Sequence, residues 1–226
     1  ATTSVTLDGV LTSGGAVNID SGGTIAMNAA ASGSTFDFDA LGVTTIAEAG
    51  DITASGAVTF GANKSGTLTT SGDIDTSDDN VTFTNAVTLG GAVDIDTGSG
   101  AGDILFKSTV ATADKNLFLD AGSSGNITAD KSITGGGAMT VRDGAAQKYS
   151  GEITVDSLDI QDATTSVTLG ADTSKTVRTA TSVDINSDSG ELTQNAKVDA
   201  GTSLDYDTAG TIGINAVSYT HQEPTR

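Results

Sequence analysis

The chain has 226 residues, 36% hydrophobic and 4% aromatic, with 29 Gly, one Pro, no Cys and no Trp. The lack of Cys excludes a disulfide framework and a thiolate metal site, and so few large side chains suit a narrow core of Val, Ile and Leu better than a wide one. A formal charge of -19, from 29 acidic against 10 basic residues, excludes nucleic acid and anionic membranes, which need basic patches, and fits a soluble extracellular surface.

Of the acids, 25 are Asp and four are Glu. Asp favours turns and Glu favours helices, so this bias predicts strands joined by tight corners. In chain order the first predicted strands are Val5-Thr6-Leu7, Val17-Asn18-Ile19, Gly23-Thr24-Ile25 with Met27, and Phe36-Asp37-Phe38. Apolar residues alternate with small or polar ones at period two, which buries one face of each strand. Gly, Asp, Asn and Ser punctuate them.

A phrase then recurs. Gly50-Asp51-Ile52 precedes Val58-Thr59-Phe60, and Gly72-Asp73-Ile74 precedes Val81-Thr82-Phe83. Val87-Thr88-Leu89 and Val93-Asp94-Ile95 follow, then Gly102-Asp103-Ile104, Leu117-Phe118-Leu119, Gly125-Asn126-Ile127 and Met139-Thr140-Val141. Val58, Val81, Ile104 and Ile127 stand 23 residues apart, and a fixed step of this length marks a repeat architecture. Ile127, Ile133 and Met139 fall six apart, which predicts successive short strands on different faces of one coil.

Beyond them, Ala145 to Ser150 fits the pattern poorly and reads as a loop leaving the coil. Ile153, Val155, Leu158-Asp159-Ile160, Val167-Thr168-Leu169, Val183-Asp184-Ile185, Leu192, Val198, Leu204-Asp205-Tyr206 and Ile212 with Ile214 continue the run. No stretch carries a helical apolar stripe. No apolar run approaches the roughly 18 residues of a membrane helix, so membrane insertion of this segment is not expected.

The expected fold is an all-β parallel β-helix (a β-solenoid) of roughly ten coils of about 20–25 residues. It is expected over residues 1–217. Residues 218–226, SYTHQEPTR, hold the single His and the single Pro and are expected to be disordered or foreign to the fold. The chain does not open on Met or on a leader peptide, so it reads as an internal fragment of a longer chain.

The phrases Ala101-Gly102-Asp103-Ile104-Leu105-Phe106, Leu117-Phe118-Leu119-Asp120-Ala121-Gly122 and Gly125-Asn126-Ile127 resemble the repeats of filamentous-haemagglutinin-like and autotransporter-type bacterial adhesins. The likeness covers nearly all of Thr2 to Val217. It implies a right-handed β-helix, a secreted, outer-membrane or cell-surface location, and a structural or adhesive role. The implied partner is a glycan or protein on a host or neighbouring cell.

No reaction, cofactor or site residue is expected. Two kinds of chemistry stand as alternatives. Asp37/Asp39 and Asp205/Asp207 place carboxylates about 7 Å apart on one strand face, a separation that glycoside hydrolysis with inversion uses. A polysaccharide-acting β-helix enzyme, lyase or hydrolase, is therefore the second reading. The simpler one is that these are solvated acids flanking an inward aromatic. Asp75, Asp78 and Asp79 at one corner, and Asp94, Asp96 and Asp103 near another, are the places to look for Ca²⁺, which takes six to eight oxygens. Thr at outward positions raises ice binding, but Thr and Asp are mixed and the coil length varies. Gly135-Gly136-Gly137 reads as a corner and His221 as an exposed tail residue.

Overall fold

A three-residue strand with apolar ends buries two side chains and leaves one outside. Such a strand forms a core only if others stack on it in register. A computed structural model, which describes residues 3–188 and 190–220, shows this stacking. Three parallel sheets of 11, 10 and 10 strands wind through about ten turns, and no helix occurs among the described residues. Each coil gives one strand to each sheet. Sheet A runs from Val5–Leu7 to Ser218–Thr220, sheet B from Leu11–Thr12 to Ser203–Thr208, and sheet C from Val17–Ser21 to Ile212–Ile214. Ile127, Ile133 and Met139 begin the apolar faces of successive strands in sheets C, A and B, as their spacing predicts.

Val58, Val81, Ile104 and Ile127 lie in one column of sheet C, paired strand to strand, and each is fully buried. Beside them Phe38, Phe60, Phe83 and Phe106 stack with ring centroids 5.1, 5.3 and 4.7 Å apart. Phe36 stacks on Phe38 at 5.7 Å. Stacked rings add about 0.5–1.5 kcal/mol per pair beyond the area they bury. Thr59, Thr82 and Thr168 point outward from the same sheet.

Gly sits where coils touch. A Cβ on Gly125 would lie 2.1 Å from the carbonyl oxygen of Gly102 and 2.2 Å from that of Ala121. The acid or amide that follows each such Gly links one coil to the next. Asn80 Oδ1 accepts the N–H of Asp103 at 2.8 Å, and Asp103 Oδ1 accepts the N–H of Asn126 at 2.8 Å and its Nδ2–H at 2.9 Å. Asn126 Oδ1 in turn accepts the N–H of Ala146 at 3.2 Å.

Coil length varies from 19 residues, Ile25 to Thr44, to 25, Leu158 to Val183, and the extra residues go to corners. The 24-residue coil from Thr44 to Leu68 holds a strap at 61–67. Asn63 donates its N–H and Nδ2–H to Asp39 one coil below, while Lys64 pairs with Asp20 and donates to the Ser21 carbonyl two coils below.

Two expectations need revision. Ala146–Tyr149 is a strand of sheet C, not a loop leaving the coil. Its inward residues are Gln147 and Tyr149, which mask the apolar signal. The pair satisfies itself: Tyr149 Oη donates to Gln147 Oε1 at 3.2 Å, and Gln147 Nε2 to the Asp162 carbonyl at 2.7 Å. Ser218–Thr220 pairs with Lys197–Ala200, so the repeat runs three residues past the limit of 217. The remainder of the tail, His221 included, lies outside the described residues.

Candidate functional site

The outer face of sheet B carries two rows of acids. One outward row runs Asp94, Phe118, Thr140, Asp159, Asp184 and Asp205, and a second runs Asp75, Asp96, Asp120 and Asp143. Strands stand about 4.8 Å apart, so each row sets like charges close together. Burial, followed by this repulsion, holds several carboxyls above the usual range. Asp96 adds to burial at Asp75, Asp51 and Asp94 add to it at Asp73, and Asp159 and Asp205 add to it at Asp184. Asp143 and Asp162 are raised in the same way, and each has one enclosed carboxylate oxygen without a hydrogen-bond partner.

One cation interrupts this face. Leu119 pairs with Val141 but Asp120 pairs with Asp143, so Arg142 is the extra residue of a β-bulge. A bulge bends its strand and re-aims a side chain. Arg142 Nη1 reaches Asp94, two coils below, at 2.9 and 2.7 Å to the two carboxylate oxygens. On the way its guanidinium lies 5.2 Å from the centroid of Phe118. Of the six Phe, the other five are buried in the core, so Phe118 is the one that faces outward. Asp73, Ala92, Val93, Asp94, Phe118 and Arg142 line a shallow depression of about 190 Å³. Phe118 is legible in the sequence as the middle of a couplet, but its link to Arg142 is not. The usable signal was an aromatic in the middle of Leu117-Phe118-Leu119, where other couplets carry Thr or Asp, together with one residue too many after Val141.

Several of the acids singled out in the sequence hold structural hydrogen bonds. Asp39 is not solvated: it is 4% exposed beneath the strap and holds Asn63. Asp37 is half-buried and its carboxyl is raised, first by burial and then by Asp39 and Asp20. Asp205 and Asp207 face outward beside Asp184. At the corners, Asp78 Oδ1 accepts the N–H of Gly100, Asp96 Oδ1 that of Gly98, and Asp120 Oδ1 that of Gly122. Asp103 is committed to Asn126 and Asp94 to Arg142. Among the described residues no three carboxylates or imidazoles converge as metal ligands do.

Sheet A offers only one outward residue per short strand. Its file of Thr45, Thr69 and Thr88 gives way to Ala111 and later to Arg178, which pairs with Asp199 at 3.3 Å. That is a single line of Thr, not a flat lattice. Gly135, Gly136 and Gly137 form a corner with φ of 121°, 79° and 73°, a backbone that side-chain-bearing residues rarely adopt.

Compared with known proteins, the chain matches no family model, no curated protein sequence and no solved structure.

Proposed function

We propose that this chain is a structural and adhesive rod segment of a large bacterial cell-surface or secreted adhesin. The observation that carries the reading is an unbroken stack of three sheets with short corners. The longest corners among the described residues are 61–67 and 97–103, and the first of these lies down along the coils below it. An enzyme acting on polysaccharide needs walls around a groove and carboxylates converging across it. The paired acids do not supply them, since Asp39 is spent on Asn63 and Asp205 and Asp207 stand on an open face. A rod of about ten coils at about 4.8 Å per coil spans about 50 Å, and its length is set by coil number alone. The partner is a glycan or protein on a host or neighbouring cell. An excess of 19 negative charges disfavours polyanions among such ligands.

Two assays on the same preparation test this. Beads coated with the chain are expected to stick to bacterial or epithelial cells above an uncoated control. Incubation with pectin, alginate and neutral glucans is expected to release no reducing or unsaturated ends. Product from any of these polysaccharides, or beads that do not adhere, would overturn the reading.

A further inference from the structure

We propose that this chain joins end to end with further copies of itself, the coil at one end of a rod docking on the coil at the opposite end of the next. The inference goes beyond the adhesive reading and does not need it. The columns of each sheet run unbroken through the rod, so its two ends present the same ones. In sheet B, Tyr206 continues the column of Leu11. In sheet C, Ile212 and Ile214 continue those of Val17 and Ile19. In sheet A, Ser218 continues that of Val5. The step from sheet B to sheet C matches too, with six residues from Leu11 to Val17 and six from Tyr206 to Ile212. A copy set on the end in register therefore repeats the contact that every coil makes with the next.

Exposure shows what the end coils lack. Ile212 and Ile214 are 44% and 55% exposed, while Leu192 and Gln194, one coil below in the same columns, are 1% or less. At the other end Leu11, Val17 and Ile19 are half-buried, while Ala31, Phe36 and Phe38, next in their columns, are buried. The backbone groups along the outer edge of an end strand are a template for a further strand. Each end coil spans 20 residues, Val5 to Ile25 and Val198 to Ser218, which falls in the range of roughly 20–30 residues that each partner brings to a standard interface. Charge permits the joint. Inside the rod Asp159, Asp184 and Asp205 already stand acid on acid. The same register at the joint sets Asp205 against Val10, Asp207 against Thr12 and Asn215 against Asp20, so none of these acids meets another. A second copy is the partner because it brings these column spacings at the same pitch of about 4.8 Å. Head-to-tail contacts between unlike ends do not close on themselves, so copies add in line.

Sedimentation velocity of the whole chain at physiological salt, from about 1 to about 500 μM, tests the joint together with negative-stain microscopy. The parent is expected to grow with concentration into filaments one rod wide, lengthening in steps of about 50 Å. Ile214→Lys blocks one end, with Ile212→Lys as a second block of that end, and Leu11→Lys blocks the other. Amide spectra unchanged away from the altered coil show that each variant is folded. Each is expected to stay monomeric at concentrations where most of the parent is assembled. Ile214→Lys and Leu11→Lys mixed in equal amounts are expected to form a dimer and nothing longer, because each keeps the one end that the other has lost. A parent that is monomeric throughout, as it would be if those ends serve further coils of a longer chain instead, would overturn the proposal. So would filaments wider than one rod, folded variants that assemble as the parent does, or a mixture that stays monomeric or grows past the dimer.

Discussion

Asp103 shows why acids recur in this chain. Its Oδ1 accepts two hydrogen bonds from Asn126, so the carboxylate joins one coil to the next. Asp103→Ala removes both and is expected to cost about 1–2 kcal/mol in urea denaturation. Asp103→Asn should recover most of that, because an amide oxygen still accepts. The Gly before each such residue is fixed by space. Gly125→Ala would push a methyl against two backbone oxygens at 2.1 and 2.2 Å, neither of which can swing aside. A loss on the order of 3 kcal/mol is expected. The Gly-acid-Ile phrase was legible as a repeat from the sequence, and the strand after it was correctly placed. The job of the acid was not legible, because its partner lies 23 residues away and only coil stacking brings them together.

At the scale of the strand, apolar ladders were readable and polar ones were not. Val58-Thr59-Phe60 and its successors declare a buried face through both ends of each couplet. Thr44–Ile46, Leu68–Thr70 and Thr176–Thr179 are strands of sheet A whose buried positions include Thr44, Thr70 and Thr179, so the same pattern fails there. Gln147 and Tyr149 mislead more strongly. Both are 1% exposed, and burial pushes the Tyr149 phenol well above its usual range. Gln147→Val is expected to strand the Tyr149 hydroxyl in the core at a cost of about 1–3 kcal/mol. The double change Gln147→Val with Tyr149→Phe should cost less than the single one, and a double-mutant cycle reads the difference. In the neighbouring ladder, Phe83 lies between Phe60 and Phe106, and Phe83→Ala should cost about 3–5 kcal/mol. The bulge that carries Arg142 was the least legible feature of the candidate site, because a one-residue shift is invisible until the register on either side of it is known.

Across the whole molecule, parallel stacking gathers like charges, and the pH response should reverse the usual acid denaturation of globular domains. Asp37, Asp73, Asp75, Asp143, Asp162 and Asp184 all have carboxyls raised above their ordinary 3.8 in the folded chain, by burial first. A group raised in this way favours the folded state most when protonated. Its contribution is complete below 3.8 and fades as pH rises through the higher folded value. The melting temperature is therefore expected to rise as pH is lowered from 7 towards about 4, and to rise with added salt at pH 7 as the rows are screened. A melting temperature that falls steadily over that range would show that mutual repulsion does not govern these rows.

The sheets, the charge rows and the bulge all depend on coils lying parallel and in register. Long-range NOEs measure that register directly. Val81 should show backbone contacts to both Val58 and Ile104, and Ile104 to Ile127, in the amide-to-α pattern of parallel strands. Cross-strand α-to-α contacts of antiparallel hairpins between successive strands, or no contact between residues 23 apart in this column, would contradict the account.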